Sequence, residues 1–290
     1  MAENRIAMRG ICDSHMHVFG PIDRYPGAPD RTYTPAQMGL AEYAPIAARL
    51  GVERIVIVQP SAYGTDNRAT LDGMRAFGDN ARAIVVIDDG FSDETLADLD
   101  RDGVRGIRLN LMTPRIKDSL AAEATLLRAA ERIAGLGWHI QIYADLELVA
   151  LLAPAARKSR VPVVFDHMGG SSEKGGTDVP GFRALISLLR DGHCWVKLSG
   201  ADIVTWQNSD FTGATPFARA IIEANDTQLV WGSDWPHLVH QHAGTGDAAP
   251  PAAYRPVVEQ ALLAALAGWA GDEDTLRAIL VENPARLYRF

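Results

Sequence analysis

Leu229-Val230-Trp231-Gly232-Ser233-Asp234-Trp235-Pro236-His237 opens as a short apolar, β-rich run and closes on an acid and a histidine. It is the last of eight such runs. Gly10–Phe19, Arg54–Ser61, Ala83–Asp89, Val104–Leu111, Trp138–Leu146, Val161–Gly169 and Cys194–Gly200 precede it, and their length and β-branched content read as buried strands. Between them lie helix-patterned segments, Ala41–Leu50, Arg68–Gly78, Asp93–Asp100, Leu120–Leu136, Leu146–Lys158, Val179–Leu189 and Pro216–Asn225. Several are followed by Gly or Asn, where a helix stops. Strands alternating with helices imply a parallel sheet covered on its outer side. Eight units in about 250 residues predict a closed (β/α)₈ TIM barrel, since a doubly wound open sheet usually stops at roughly five to seven strands.

The last run is followed by a Gly-, Pro- and Ala-rich stretch, Ala243 to Ala253, which reads as a surface loop, and then by two terminal helices. No repeat, low-complexity tract or change of composition divides the chain, so residues 1–290 are expected to form one α/β domain. Its residues are 47% hydrophobic and 22% charged, the balance of a globular enzyme with a full core. A net charge of −8 excludes a nucleic-acid surface, which needs clustered Lys and Arg. No run approaches the roughly 18 apolar residues of a membrane span. Cys12 and Cys194 are too few for a disulfide framework, and no apolar signal segment opens the chain, so a cytoplasmic enzyme acting on a small molecule is expected. Self-association into a homo-oligomer is compatible with this composition.

In a barrel of this kind the chemistry gathers at the C-terminal ends of the strands. The first run ends Asp13-Ser14-His15-Met16-His17, the sixth Asp166-His167-Met168 and the eighth Ser233-Asp234. Strand alternation sends His15 and His17 one way and Met16 the other. Any one of these histidines alone reads as readily as a core residue satisfied by a backbone carbonyl. Three strand ends far apart in sequence, converging only if the ring closes, point instead to a catalytic set of His15, His17, His167 and Asp234. His139 and His193 sit at strand starts, on the opposite face, and read as structural; His240 and His242 lie in a loop. Other catalytic plans lack their motifs: there is no Gly-x-Ser-x-Gly elbow, no Gly-rich phosphate loop after the first strand and no His-Glu-x-x-His. Cys12 reads as a small buried thiol.

These residues resemble the amidohydrolase superfamily, and within it the branch of 2-pyrone-4,6-dicarboxylate lactonase and related sugar-acid and muconolactone lactonases. The resemblance covers nearly the whole chain. It is carried by Cys12 to Gly20, Tyr33-Thr34-Pro35, Val58-Gln59-Pro60-Ser61 with Gly64 to Asn67, Val104 to Asn110, Val164 to Gly169 and Val230 to His237. It implies that Asp234 is the general base and that the histidines orient and polarise the substrate carbonyl. Physics supports those roles: positive charge or hydrogen bonding near His15 and His17 is expected to hold Asp234 ionised, and His15, His17 and His167 are expected to donate hydrogen bonds to the developing oxyanion.

Many superfamily members bind divalent zinc, but this chain lacks half of that ligand set. Its fourth run ends Arg108-Leu109-Asn110 and its fifth Gln141-Ile142-Tyr143, so a two-metal site is not expected; the similar pyrone lactonase branch works without metal, and that resemblance implies that no cofactor is required. A single zinc on His15, His17, His167 and Asp234 is the alternative, because N and O ligands suit it. For substrate binding, Arg108 lies inside an apolar run, hard to place on the surface, and is read as a fork for a carboxylate or sulfonate. Tyr33 matches a substrate-binding tyrosine of the similar enzymes, and Gln59, Asn67, His237 and Arg115 complete the candidate set. Gln59 and Asn67 read equally as loop ties. The pyrone lactonases carry a further Arg just beyond the seventh strand, where this chain reads Leu198-Ser199-Gly200-Ala201-Asp202. A lactone with one anionic group or several hydroxyls is therefore expected in place of the dicarboxylated pyrone. The rival readings are a lactone isomerase or decarboxylase on the same barrel and, from a different class, a non-catalytic binding protein.

Overall fold

The computed structural model describes residues 6, 8–112, 119–205, 210–239 and 245–290. Eight strands form one parallel sheet in sequential order: β1 (Ile11–Met16), β2 (Val52–Val58), β3 (Ala81–Val85), β4 (Val104–Asn110), β5 (His139–Tyr143), β6 (Val163–Phe165), β7 (Trp195–Leu198) and β8 (Leu229–Trp231). The seam between the last and first strands is held just past their ends, where Met16 bridges Trp235, the His17 N–H donates to the Trp235 carbonyl (2.8 Å) and the Asp234 N–H to the His15 carbonyl (2.8 Å). The expected (β/α)₈ barrel is thus the fold, with helices such as Leu40–Leu50, Arg68–Phe77 and Leu146–Lys158 between the strands.

Alternation along the strands builds two cores. Ile55 and Ile57 of β2 belong to the large layer between sheet and helices, whereas Val56 and Val58 join Cys12, Ile84, Val164 and Val230 in the barrel interior. The terminal segment closes the floor of that interior. After the helix Glu259–Ala270 the chain runs through Glu273–Arg277 to Asn283–Tyr288, and Tyr288, fully buried, packs edge-on to His139 with ring centroids 5.4 Å apart. His139 is therefore a floor residue, as its place at a strand start implies.

Strands β6 and β8 end at Phe165 and Trp231, four and six residues short of the runs read from the sequence, which continue to Gly169 and His237. The reason lies in the backbone. His167 (φ 50°), Met168 (φ 53°), Asp234 (φ 64°) and His237 (φ 62°) take left-handed conformations that extended strand excludes. Each such non-glycine residue carries strain of about 1–3 kcal/mol, a device concentrated at functional sites. The described residues beyond β8 carry pairings that a plain surface loop lacks: Thr34 bridges Pro251, Leu238 bridges Tyr254, and the Ala252 N–H donates to the Thr34 carbonyl (2.8 Å).

Candidate active site

Asp13, in the middle of β1, is fully buried and anchors the strand end. Its Oδ1 accepts from the backbone N–H groups of His15 (3.1 Å) and Ser233 (2.9 Å), and its Oδ2 from the hydroxyls of Tyr43 (2.6 Å) and Ser233 (2.5 Å). Beyond that anchor His15 and His17 turn into the same space, their Nε2 atoms 3.3 Å apart. His17 Nδ1 lies 2.7 Å from the Val58 carbonyl oxygen, which can only accept. In the neutral ring that nitrogen carries the proton, and Nε2 presents a lone pair.

The left-handed turn after β6 brings His167 over the mouth, with Nδ1 3.0 Å from the Ser199 hydroxyl. Gly200 leaves the room for it, since a Cβ there would stand 2.9 Å from His167 Nδ1. On the other side, Gly232 runs so close to β1 that a Cβ would lie 2.5 Å from that of His15. The carboxylate of Asp234 then meets all three imidazoles: its Oδ1 is 3.6 Å from His15 Nε2, 3.7 Å from His17 Nε2 and 3.8 Å from His167 Nε2. The four residues picked from three distant strand ends therefore share one point.

Their electrostatics differ from the sequence expectation. Burial drives His15 and His167 well below the ordinary histidine range and His17 down to about 3, so the rings are neutral. They do not hold Asp234 ionised. Burial, with the charge of Asp202 second, pushes the Asp234 carboxyl up to about 7, against the opposing pull of Arg255 and others. One donor is also lost to the expected oxyanion site: neutral His17 spends its only N–H on Val58 and offers the pocket an acceptor.

His17, His167 and Asp234 line a pocket together with Tyr33, Ser61, Arg108, Asn110 and Tyr143, while His15 lies wholly buried behind them. Arg108 is buried there, stacked over the Tyr143 ring at 5.5 Å and donating to the Gln59 carbonyl at 3.1 Å. Tyr33 reaches the pocket too, with the Ser61 hydroxyl 3.4 Å from its own. Gln59 and Asn67 are placed as loop ties. Gln59 Nε2 donates to the carbonyls of Gly64 and Asp66 while its Oε1 accepts from Thr70, and Asn67 clips both the N–H and the carbonyl of Val86. His237 is buried beside Asp234, its Nε2 3.5 Å from Glu259 Oε1. Arg115, like His240 and His242, lies outside the described residues.

Three groups escaped the sequence reading. Lys197 of β7, wholly buried beneath His15, donates to the Ser14 carbonyl (2.8 Å) and to Gln141 Oε1 (2.7 Å). Asp166, also wholly buried, accepts from Gln141 Nε2 (2.9 Å) and lies 3.6 Å from Arg108. Arg255 reaches back from beyond the final loop to pair with Asp202 (2.7 Å) and stands 3.8 Å from Asp234 Oδ2. Asp202 is thus ion-paired with an arginine through Oδ2.

Among the described residues, His15, His17 and Asp234 place ligand atoms within 4.8 Å of one another, as do His15, Asp166 and His167. The donor types suit zinc. What faces the far side of His15 does not: a metal-bound imidazole passes its other N–H to an acceptor, whereas His15 Nδ1 has the Lys197 ammonium 3.4 Å away, and Asp166 Oδ1, at the same distance, takes no hydrogen bond among the described residues.

The comparisons with known proteins agree with this geometry. The family model described as Amidohydrolase matches residues 12–290. Over 283 residues the chain is 31% identical to 4-sulfomuconolactone hydrolase of Hydrogenophaga intermedia, covering 96% of this chain and 88% of that one. It is 32% identical over 288 residues to 2-pyrone-4,6-dicarboxylate hydrolase of Comamonas testosteroni, covering 96% and 90%. The apo crystal structure of an Agrobacterium tumefaciens protein superposes with a TM-score of 0.82 at 27% identity, covering 98% of this chain and 97% of that one.

Proposed function

This chain belongs to the amidohydrolase family, and from that premise we propose that it is a hydrolase opening the ring ester of a small lactone with one anionic group or several hydroxyls. The observation that carries the reading is the meeting of one carboxylate oxygen with three imidazole nitrogens at 3.6–3.8 Å, beside a pocket that Asp234, His17, His167 and Arg108 line. A neutral histidine cluster does not quench a general base, and an arginine in the wall gives an anionic group of the substrate a forked partner.

In this reading Asp234 takes a proton from water as the water oxygen bonds to the lactone carbonyl carbon. His167 presents an N–H to the carbonyl oxygen as negative charge gathers on it, while His15, buried behind it, gives its one N–H to His17 Nε2. Collapse of the tetrahedral intermediate breaks the ring C–O bond, and protonated Asp234 returns its proton to the leaving oxygen. The product is a hydroxy acid. Free buried thiols at Cys12 and Cys194 suit the reducing cytoplasm in which we place the reaction.

A panel of sugar-acid lactones and ring-cleavage lactones, followed with a pH indicator, tests the assignment. Hydrolysis releases one proton for each ring opened. Isomerisation releases none, decarboxylation yields carbon dioxide, and a binding protein turns nothing over, so any of those three results replaces the reading.

The proposed reaction runs on protein groups alone. Exhaustive chelation is expected to leave turnover unchanged; activity lost in proportion to the metal removed, and restored by zinc, would reverse that.

A further inference from the structure

The geometry points to Lys197 as the positioning residue that keeps His15 a hydrogen-bond donor and thereby keeps a divalent metal out of the histidine cluster. The inference rests on the metal-free reading above. It follows from hydrogen-bond direction, one ring at a time. The Val58 carbonyl accepts, so His17 carries its proton on Nδ1 and bares Nε2. His15 Nε2 lies 3.3 Å from that bare nitrogen and, to meet it in a hydrogen bond, supplies the proton itself. A neutral His15 with its proton on Nε2 has a lone pair on Nδ1, and Lys197 Nζ, a donor only, is the group 3.4 Å from it.

One competitor stands at the same nitrogen. Asp166 Oδ1 is also 3.4 Å from His15 Nδ1 and, as an acceptor, would select the opposite tautomer, the one a metal requires. The carboxylate is misaligned for it: Oδ1 receives no hydrogen bond among the described residues, while Oδ2 takes the Gln141 amide. Lys197, by contrast, donates to two acceptors, the Ser14 carbonyl and Gln141 Oε1, and stands 3.4 Å from His15 Nδ1 with the Asp166 carboxylate 3.9 Å away. Two acceptors and a neighbouring carboxylate suit an ammonium, whose third proton faces His15 Nδ1. Besides fixing the tautomer, it sets a positive charge directly beneath the position a cation would take.

Two measurements test this. In wild-type protein, long-range ¹⁵N NMR of the histidine rings should show His15 protonated on Nε2 and bare on Nδ1; a proton on Nδ1 overturns the inference without any variant. In Lys197→Met, with the donor gone, His15 should move its proton to Nδ1 against Asp166. Zinc affinity, read by competition with a chromophoric chelator, should then rise on the order of 10- to 100-fold, the scale on which outer partners tune metal sites. An unchanged tautomer and unchanged zinc affinity in Lys197→Met overturn the role of Lys197 and leave the metal-free reading standing. Stoichiometric zinc in the wild type overturns both.

Discussion

Asp234→Asn is expected to lower kcat by on the order of 10³- to 10⁴-fold, the upper range for removing a general base that also returns its proton. Asparagine keeps the shape but takes no proton from water, so product formation in the lactone assay is the measurement. Wild-type rate in the variant would remove Asp234 from the mechanism. The wild-type pH profile adds a second reading of the same residue. Because burial lifts the Asp234 carboxyl to about 7, kcat/KM should climb about tenfold per pH unit below that point and level off above it. The same shift has a stability consequence of opposite sign. A carboxyl raised from 3.8 in the unfolded chain to about 7 in the fold keeps its full contribution below the lower value and loses it as pH rises through the higher. At pH 8 the asparagine variant should therefore melt no lower than wild type, which separates lost chemistry from lost folding.

Asp13→Ala is expected to cost about 3 kcal/mol or more of stability, read as a fall in the denaturant midpoint at constant slope. The wild-type carboxylate gathers the His15 and Ser233 N–H groups with the Tyr43 and Ser233 hydroxyls. Alanine leaves these donors buried with no acceptor, at about 1–3 kcal/mol for each that water does not reach. They join β1, the segment after β8 and the helix Leu40–Leu50, so the loss falls on the seam of the barrel. A midpoint within experimental error of wild type would show that this carboxylate is not what holds the seam.

Much of this was legible in the chain because a barrel writes its plan in one dimension. Each strand is a separate apolar run, and the residue types that end the runs at His15, His17, His167 and Asp234 are those the closed ring brings together. What stayed hidden depends on direction and on long-range pairing. The tautomer of His17 is set by a carbonyl 41 residues away, and Arg255 finds Asp202 across 53 residues; no local pattern announces either. Lys197 is a different case. It sits mid-run in Trp195-Val196-Lys197-Leu198 just as Arg108 sits in Gly106–Leu111, and the argument that put Arg108 inside the fold applies to it unchanged. The expected charge on Asp234 failed for a physical reason, since desolvation outweighs neighbours that are themselves neutral.

The join at which the ring closes is also where the acid proposed to activate water stands, for Asp234 donates its own N–H to the carbonyl of His15. Natural variation is thereby channelled. A change at that join risks chemistry and architecture in one stroke, while the stretches that meet above the opening, Tyr33-Thr34 and Pro250 to Tyr254, stand clear of it and are free to be rewritten. New substrates would be acquired by descendants of this chain from its rim, with the hinge between first and last strands inherited intact.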